Sequence, residues 1–398
     1  MGWNTAWSYL PINYNTKLGT IENITQRTIL WNNVNGRKGR LKFSNRYGTK
    51  PLILEKVVIA QRKSEEGVIE NPVIVTYEGN ESIYIGARDE FYSDEFEFSI
   101  LAGTDIVLSV YVKEQTDIES ACSTWSARSF RTVYATGGDY TLDTDFTGKE
   151  SREVFPFVEA DVNKATILFG ISEIQLESEE KVKTICLFGD SITHMSYLYD
   201  ALAKKAYELY PGEVTLVNRG IGGNRVLHDA TKVPGIPGEG KFFGVEAVDR
   251  FEADVFENLP PDAILFLEGV NDLMHPYIFN YPEEIVSAME LQDAVEQFIN
   301  KAKEKKAQIY IGTIMPFRND DMVWLEEAEQ VRNQFNTWVR TQCNADGILD
   351  YDANLRDPAR TQYLQDGLHT GDGLHPNVEG GIEMAKLIPL SHIMKQEK

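Results

Sequence analysis

Short apolar runs separated by turn residues occupy the first part of the chain, residues 1–176. The runs are rich in β-branched residues or alternate apolar with polar positions, which is typical of strands. They lie at residues 39–44, 51–60, 72–77, 82–85, 95–100, 105–112, 131–135 and 166–176. Gly, Asn, Asp and Pro recur between the runs, and no long helical period interrupts them. Many short strands at regular spacing predict an all-β domain, a sandwich or a jelly-roll-like fold.

The pattern changes after the acidic segment 177–180, which we take as the start of a second domain, residues 177–398. Wholly apolar strands are predicted at 183–188, 214–218, 263–268, 308–313 and 348–351, and amphipathic helices near 199–210, 283–305, 324–342 and 379–388. Strands that alternate with helices in this way predict an α/β domain with a parallel sheet covered on both faces. Ligands of such sheets bind beyond the carboxyl ends of the strands, so the candidate chemistry is sought there.

Composition and charge narrow the function classes. The 398 residues are 42% hydrophobic and 25% charged, which is typical of folded proteins and excludes collagen-like or low-complexity chains. A formal net charge of -22 disfavours nucleic acid and anionic membrane surfaces as partners. Three cysteines, Cys122, Cys186 and Cys343, are too few for a disulfide framework or a zinc cluster. The N-terminus lacks the pattern of a signal peptide and no apolar stretch reaches membrane-spanning length, so the expected location is the cytoplasm.

Candidate chemistry begins at the first strand of the second domain, which runs into Gly189-Asp190-Ser191. The glycine permits a sharp bend and presents Ser191 where a helix starts, a position that favours developing negative charge. Ser191 is therefore either a nucleophile or a helix cap. The second strand ends in a glycine-rich segment whose Gly223 N–H group could approach a substrate oxygen, although this signal alone favours a plain loop. After the third strand, the Asn271 amide could donate to an oxyanion or form an Asx turn.

The most specific signal is Asp372-Gly373-Leu374-His375 near the C-terminus. A spacing of three residues lets the carboxylate and the imidazole meet on one side of a turn. Asp372 could then accept from one ring nitrogen of His375 and leave the other facing a nucleophile. A structural Asp–His pair is the alternative. Four such signals at one edge of one sheet favour a common site.

From about residue 183 to the end, the sequence resembles the SGNH (GDSL-type) hydrolase superfamily. The four blocks that carry this resemblance are Gly189-Asp190-Ser191, Gly223, Gly269-Val270-Asn271-Asp272 and Asp372–His375. Segments 41–51, 218–227 and 351–358 also resemble bacterial members that carry an N-terminal β-sandwich domain. The resemblance implies a flavodoxin-like catalytic domain with strand order 2-1-3-4-5, preceded by a jelly-roll-like domain.

The resemblance also implies roles for the site residues. Ser191 would be the nucleophile, His375 the base and Asp372 the residue that orients the imidazole. The N–H groups of Ser191 and Gly223 and the side-chain amide of Asn271 would form the oxyanion hole. The implied enzyme is a carboxylic ester hydrolase that needs neither metal nor cofactor.

Three further residues near these blocks, Arg225, His194 and His275, are possible substrate contacts, with surface or structural roles as alternatives. The expected substrate is a small-molecule or oligosaccharide ester with a short acyl group, most simply an acetylated carbohydrate. A short-chain carboxylesterase or lysophospholipase is the alternative enzyme. From a different class, a non-catalytic carbohydrate-binding protein with a relic hydrolase domain stays open. The β-domain could also mediate homo-oligomer formation.

Overall fold

The chain divides into two compact units, and the first of them is discontinuous in sequence. The computed structural model describes residues 1–63, 68–126, 128–146, 149–151, 155, 165–320 and 325–395. The first unit comprises Met1–Val182 and Ala206–Val217, and the second comprises Lys183–Lys205 and Asn218–Lys398. The domain limits 1–176 and 177–398 stay predictions.

The N-terminal part of the chain is β-structure throughout its described residues, as the sequence predicts. Its strands are β1 Gly2–Ser8, β2 Ile12–Asn13, β3 Gly19–Ile21, β4 Ile24–Leu30, β5 Gly36–Ser44, β6 Leu52–Leu54, β7 Lys56–Arg62, β8 Ile69–Ile74, β9 Ile83–Ile85, β10 Glu90–Tyr92, β11 Phe96–Ile100, β12 Ile106–Val112, β13 Thr116–Ile118, β14 Ser120–Thr124, β15 Phe130–Thr136, β16 Glu150–Ser151 and β17 Thr166–Ser178. A seven-stranded sheet has the order β10-β5-β17-β14-β2, with β1 on β17 and β11 on β5. A six-stranded sheet has the order β16-β15-β4-β12-β7-β8. The strand pairs described in these two sheets are antiparallel.

Strand β4 was not predicted from the pattern of apolar residues, and its burial explains why. Every residue of ITQRTIL is buried, because the strand lies between β12 and β15. Arg27 is 1% exposed, and its guanidinium donates to Ser109 Oγ (2.9 Å) and to the carbonyl oxygens of Tyr140 and Thr141 (3.1 Å each). Burial lowers the pKa of Arg27 to about 10. A buried polar group is tolerated when it is hydrogen-bonded, so a central strand can contain residues that look exposed in the sequence.

The second segment of the first unit is held by Asn33. This side chain is 1% exposed, and its amide donates to the carbonyl oxygens of Tyr210 (2.9 Å) and Val214 (2.7 Å). Its Oδ1 accepts from the N–H group of Gly212 (3.2 Å). One asparagine therefore satisfies three backbone groups of the turn 210–214, which the chain reaches only after Ser191.

The chain from Lys183 onward alternates strands with helices, as predicted. Its elements are β18 Lys183–Gly189, α1 Ser191–His194, α2 Tyr197–Leu209, β19 Val214–Gly220, α3 Ala247–Phe256, β20 Ala263–Leu267, α4 Val270–Ile278, α5 Ala288–Glu304, β21 Gln308–Gly312, α6 Glu326–Thr341, β22 Gly347–Leu349, α7 Tyr351–Leu355, α8 Val378–Lys386 and α9 Leu390–Lys395. The sheet order β19-β18-β20-β21-β22 is the predicted order 2-1-3-4-5. The pairs β18–β20, β20–β21 and β21–β22 are parallel.

An aromatic core joins this sheet to its helices. The ring of Phe298 on α5 lies 5.1 Å from Phe266 on β20 and 4.7 Å from Phe251 on α3, measured between ring centroids. The apolar stripe of α5 thus packs on the sheet, which explains its amphipathic sequence. Residue 324, the predicted start of α6, lies outside the described residues. Within the described residues, no helix is long and apolar enough to cross a membrane.

Candidate active site

Ser191 lies directly beyond the carboxyl end of β18, where the sequence places the candidate chemistry. Strand β18 runs beside β20 with Gly189 opposite Leu267. A Cβ atom at position 189 would lie 2.1 Å from the carbonyl oxygen of Leu267, so only glycine lets the two strands meet here. Asp190 then caps α1, with its Oδ1 accepting from the N–H group of Ile192 (2.9 Å). Ser191 is therefore the first residue of α1.

Ser191, His375 and Asp372 form a continuous hydrogen-bonded chain. Ser191 Oγ lies 2.7 Å from His375 Nε2, and His375 Nδ1 lies 2.5 Å from Asp372 Oδ2. The other carboxylate oxygen, Oδ1, accepts from the N–H groups of Leu374 and His375 (2.9 Å each). These residues come together from opposite ends of the second unit.

The charge state of Asp372 fixes the orientation of the imidazole. Burial alone would raise the pKa of this carboxyl, but hydrogen bonds from His375 and from the backbone hold the pKa well below its usual range. An ionised Asp372 accepts a hydrogen bond from the Nδ1–H group of His375, which leaves the lone pair of Nε2 directed at Ser191 Oγ. The arrangement can therefore take a proton from the serine hydroxyl.

The glycine-rich loop after β19 brings a backbone donor to this place. Gly223 has a φ of +74°, and a Cβ atom there would lie 1.9 Å from Cδ1 of Phe243. Both the backbone conformation and the ring beside it require glycine. Within the described part of the chain, the N–H groups of Ser191 and Gly223 have no hydrogen-bond acceptor. Both are available to an anionic oxygen.

Asn271 is the second residue of α4 and is anchored to the same loop. One N–H of its amide donates to the carbonyl oxygen of Asn224 (2.9 Å). A primary amide has a second N–H, which the side chain can offer to a ligand. The next residue, Asp272, accepts from the N–H groups of Val226 and Leu227 at 2.8 and 3.0 Å. Asn271 and Asp272 together tie the start of α4 to the glycine-rich loop.

A single buried arginine, Arg250 on α3, connects the strand ends beneath the site. Its guanidinium lies 4.0 Å from the ring centroid of Phe188. Its acceptors are the side chains of Asn224 (2.6 Å), Asp254 (3.1 Å) and Glu268 (3.5 Å) and the carbonyl oxygens of Gly189 and Arg219 (3.0 Å each). No sequence motif indicated this residue, because its role depends on the packing of three strand ends.

Two buried carboxyl groups, those of Asp190 and Glu268, are close enough to Arg250 for its charge to act on their pKa values. Asp190 is 1% exposed and Glu268 is 2% exposed. Burial, as the largest cause, raises the pKa of Asp190 to about 7 and that of Glu268 to about 8. One positive side chain cannot compensate several buried carboxylates, so the protonated forms of Asp190 and Glu268 are favoured.

The three predicted substrate contacts each have a partner within the protein. Arg225 is 2% exposed and its Nη1 lies 2.6 Å from Glu284 Oε2. His194 Nδ1 accepts from the N–H group of Gly222 (3.1 Å). Their contact with a substrate stays a prediction.

The third of these residues, His275, is 7% exposed and its Nδ1 lies 2.9 Å from Thr231 Oγ1. Burial, assisted by the nearby charge of Arg225, lowers the pKa of His275 to about 3 and keeps the ring neutral. Its contact with a substrate also stays a prediction. Within the described residues, no cluster of three or more His, Cys, Asp or Glu side chains is suited to hold a metal ion.

The tetrapeptide Asp-Gly-Leu-His occurs twice in the sequence, at 366–369 and again at 372–375. Sequence alone does not decide which copy faces Ser191. The structure places the second copy there, whereas Asp366 is 90% exposed and lies 3.5 Å from Arg360. The imidazole of His369 in the first copy accepts from the N–H groups of Gly371 and Gly373, which flank Asp372 in the second copy.

Part of the chain is similar to a known protein family. Residues 187–381 match the model of the GDSL-like lipase/acylhydrolase family. No curated protein matches the chain. Similar solved structures include an acetylxylan esterase from Geobacillus stearothermophilus (18% identity, covering 54% of this chain and 95% of that chain, TM-score 0.40). Another is a GDSL-like lipase from Bacteroides thetaiotaomicron (18% identity, covering 54% of this chain and 88% of that chain, TM-score 0.39). The C-terminal part of the chain, residues 187–381, therefore matches the GDSL-like lipase/acylhydrolase family, and this match supports a carboxylic ester hydrolase.

Proposed function

We propose that the protein is a serine esterase that removes short acyl groups, most simply acetyl groups, from carbohydrates. The observation that carries the catalytic part is the continuous chain from Ser191 Oγ to His375 Nε2 (2.7 Å) and from His375 Nδ1 to Asp372 Oδ2 (2.5 Å). A nucleophile, a base and an orienting carboxylate in this geometry are what acyl transfer needs. In a binding protein with a relic hydrolase domain, nothing would be expected to preserve the contacts among the serine, the histidine and the aspartate.

The reaction proceeds in two steps. His375 Nε2 takes the proton of Ser191 as the Oγ atom of this serine attacks the ester carbonyl. The backbone N–H groups of Ser191 and Gly223 and the side-chain amide of Asn271 stabilise the tetrahedral oxyanion. His375 then donates that proton to the leaving alcohol, which departs from the acyl-enzyme. In the second step His375 deprotonates a water molecule, which attacks the acyl carbonyl. The bond to Ser191 Oγ then breaks, His375 returns the proton to this oxygen, and the acid leaves.

The proposal of a small acyl group rests on Phe243. Its ring lies against Gly223 so closely that a single Cβ atom on the glycine would overlap with it. The same ring lies 4.9 Å from His275 and 6.4 Å from Phe279, between centroids, so it belongs to a packed aromatic cluster. A ring fixed beside an oxyanion donor leaves little room for a long acyl chain on that side.

A polar substrate is supported by the charge of the protein. The formal net charge of -22 opposes approach to anionic phospholipid surfaces. The alternative of a lysophospholipase is favoured by exposed apolar side chains after the Asn271 segment, Ile278 (42%), Ile285 (46%) and Met289 (67%). Acyl chain length distinguishes the two functions.

The test is hydrolysis of p-nitrophenyl esters from acetate to octanoate by the wild type, Ser191→Ala and Ser391→Ala. Ser391 is an exposed serine on α9 and serves as the matched control. We expect the highest kcat/KM with acetate, full activity in Ser391→Ala and loss of turnover in Ser191→Ala. Acetate release from an acetylated xylo-oligosaccharide then tests the carbohydrate part.

Retained activity in Ser191→Ala would contradict serine catalysis. Activity that rises with chain length would replace the proposal by the lysophospholipase alternative. Fast acetate hydrolysis without release from any acetylated sugar would contradict the carbohydrate part alone.

A further inference from the structure

The segment that carries Asp372 and His375 is a tight hairpin, residues 367–377, which we call the catalytic hairpin. An antiparallel bridge pairs His369 with Pro376 at its base. The N–H group of Asn377 donates to the carbonyl oxygen of Leu368 (3.1 Å). Asp372 lies at the tip, between Gly371 and Gly373, and both glycines have positive φ values, 109° and 71°.

The imidazole of His369 fills the inside of this tip. Its Nδ1 accepts from the N–H group of Gly371 (3.0 Å) and from that of Gly373 (3.1 Å). These two hydrogen bonds need a lone pair on Nδ1, so they form with the tautomer that carries its proton on Nε2. One ring nitrogen thus holds the residue before Asp372 and the residue after it.

The base of the hairpin is fixed to helix α8. Asn377 caps this helix, with its Oδ1 accepting from the N–H group of Gly380 (3.0 Å). The Asn377 amide donates to the carbonyl oxygens of Gly367 (2.8 Å) and His369 (2.9 Å). The backbone of His369 is therefore anchored to a helix, while its ring reaches the tip of the hairpin.

We propose that His369 is a positioning residue for catalysis, which acts by fixing the tip of the catalytic hairpin and thereby the carboxylate of Asp372 against His375. The proposal rests on the proposed function, in which Asp372 orients the base. Without the acceptor, two backbone N–H groups at the tip lose their partner and the tip relaxes. A displacement of about 1 Å in a catalytic group can lower the rate by about 10²-fold.

The experiment compares His369→Ala, His369→Asn and Asp366→Ala by kcat and KM for p-nitrophenyl acetate. The Asn side chain places an amide oxygen near the position of Nδ1 and restores the acceptor. We expect kcat of His369→Ala to fall about 10²-fold with little change in KM, and His369→Asn to recover most of that loss. Asp366→Ala, in the exposed part of the same repeated tetrapeptide, should retain wild-type kcat.

Equal and small losses in His369→Ala and His369→Asn would overturn the proposal, as would an unchanged kcat in His369→Ala. If Ser191→Ala keeps its activity, the proposed function fails first, so the two failures are distinguishable. Should the alanine variant not fold, ¹⁵N NMR of the imidazoles in the wild type, assigned with His369→Asn, gives a second test. A proton on Nδ1 of His369 at neutral pH would contradict the proposal.

Discussion

The two copies of Asp-Gly-Leu-His show how identical sequences acquire different chemistry from their surroundings. In the second copy the carboxylate of Asp372 accepts from its own backbone and from His375, and the imidazole contacts Ser191. In the first copy the carboxylate of Asp366 faces solvent, and His369 accepts hydrogen bonds from the neighbouring turn. The tetrapeptide alone therefore does not specify an Asp–His contact, because the same four residues form different hydrogen bonds in their two settings.

The largest contrast between the copies is expected for His375→Ala. This change removes the group that takes the proton from Ser191, and loss of a catalytic histidine from a serine triad costs about 10⁶-fold in kcat. We expect a loss of this order for p-nitrophenyl acetate, several orders beyond that of His369→Ala. Comparable losses in the two variants would erase the distinction between a catalytic and a positioning histidine.

A smaller loss is expected for Asp372→Asn. The amide can turn an N–H group toward His375 Nδ1, which forces the ring proton onto Nε2 and prevents it from accepting the proton of Ser191. Such a change of tautomer costs about 10⁴-fold in kcat. Steady-state kinetics at neutral pH measures it, with Asp366→Asn as the control in the other copy. An Asp372→Asn variant that turns over like the wild type would remove Asp372 from the catalytic group.

The smallest expected effect is a difference between Asp372 and Asp366 in their contribution to the free energy of unfolding. The pKa of Asp372 is held below its usual range in the folded protein, so ionisation of this group favours folding. The contribution is complete above the unfolded pKa of about 3.9 and is lost as the pH falls through the lower folded value. Urea unfolding should show Asp372→Asn less stable than the wild type at neutral pH, with the gap closing in acid.

Asp366→Asn gives the comparison for that experiment. Asp366 is 90% exposed, and its charge pair with Arg360 spans 3.5 Å, so the pair contributes little to stability. We expect its free energy of unfolding to follow that of the wild type at every pH. A gap for Asp372→Asn that widens in acid would contradict the assigned direction of the shift.

The sequence predicted much of the second unit because its rules are local. Apolar strands that alternate with amphipathic helices give a parallel sheet, and the rule that ligands bind at strand ends led to Ser191, Gly223 and Asn271. The structure brings Ser191 to His375 and ties Asn271 to the loop of Gly223 through Asn224. Their roles in catalysis stay predictions until the variants are measured.

What the sequence could not predict depends on contacts between distant segments. No sequence motif marks Arg250, because its role depends on hydrogen bonds to carbonyl and carboxylate groups that come together only when three strand ends pack in the fold. Strand β4 was missed since Arg27 and its polar neighbours are buried in a central position. Helix α4 was missed as well, because Pro276 interrupts a pattern of only Val270–Ile278.

The hydrogen bonds of Asn33 determine how early in synthesis the first unit can finish folding. Its amide needs the carbonyl groups of Tyr210 and Val214, which leave the ribosome about 180 residues after it at 5–20 residues per second. The first unit therefore cannot be completed when Val182 emerges, even though its strands are all present by then. It waits until the start of β19 has been made, by which time the proposed nucleophile Ser191 is already part of the growing chain.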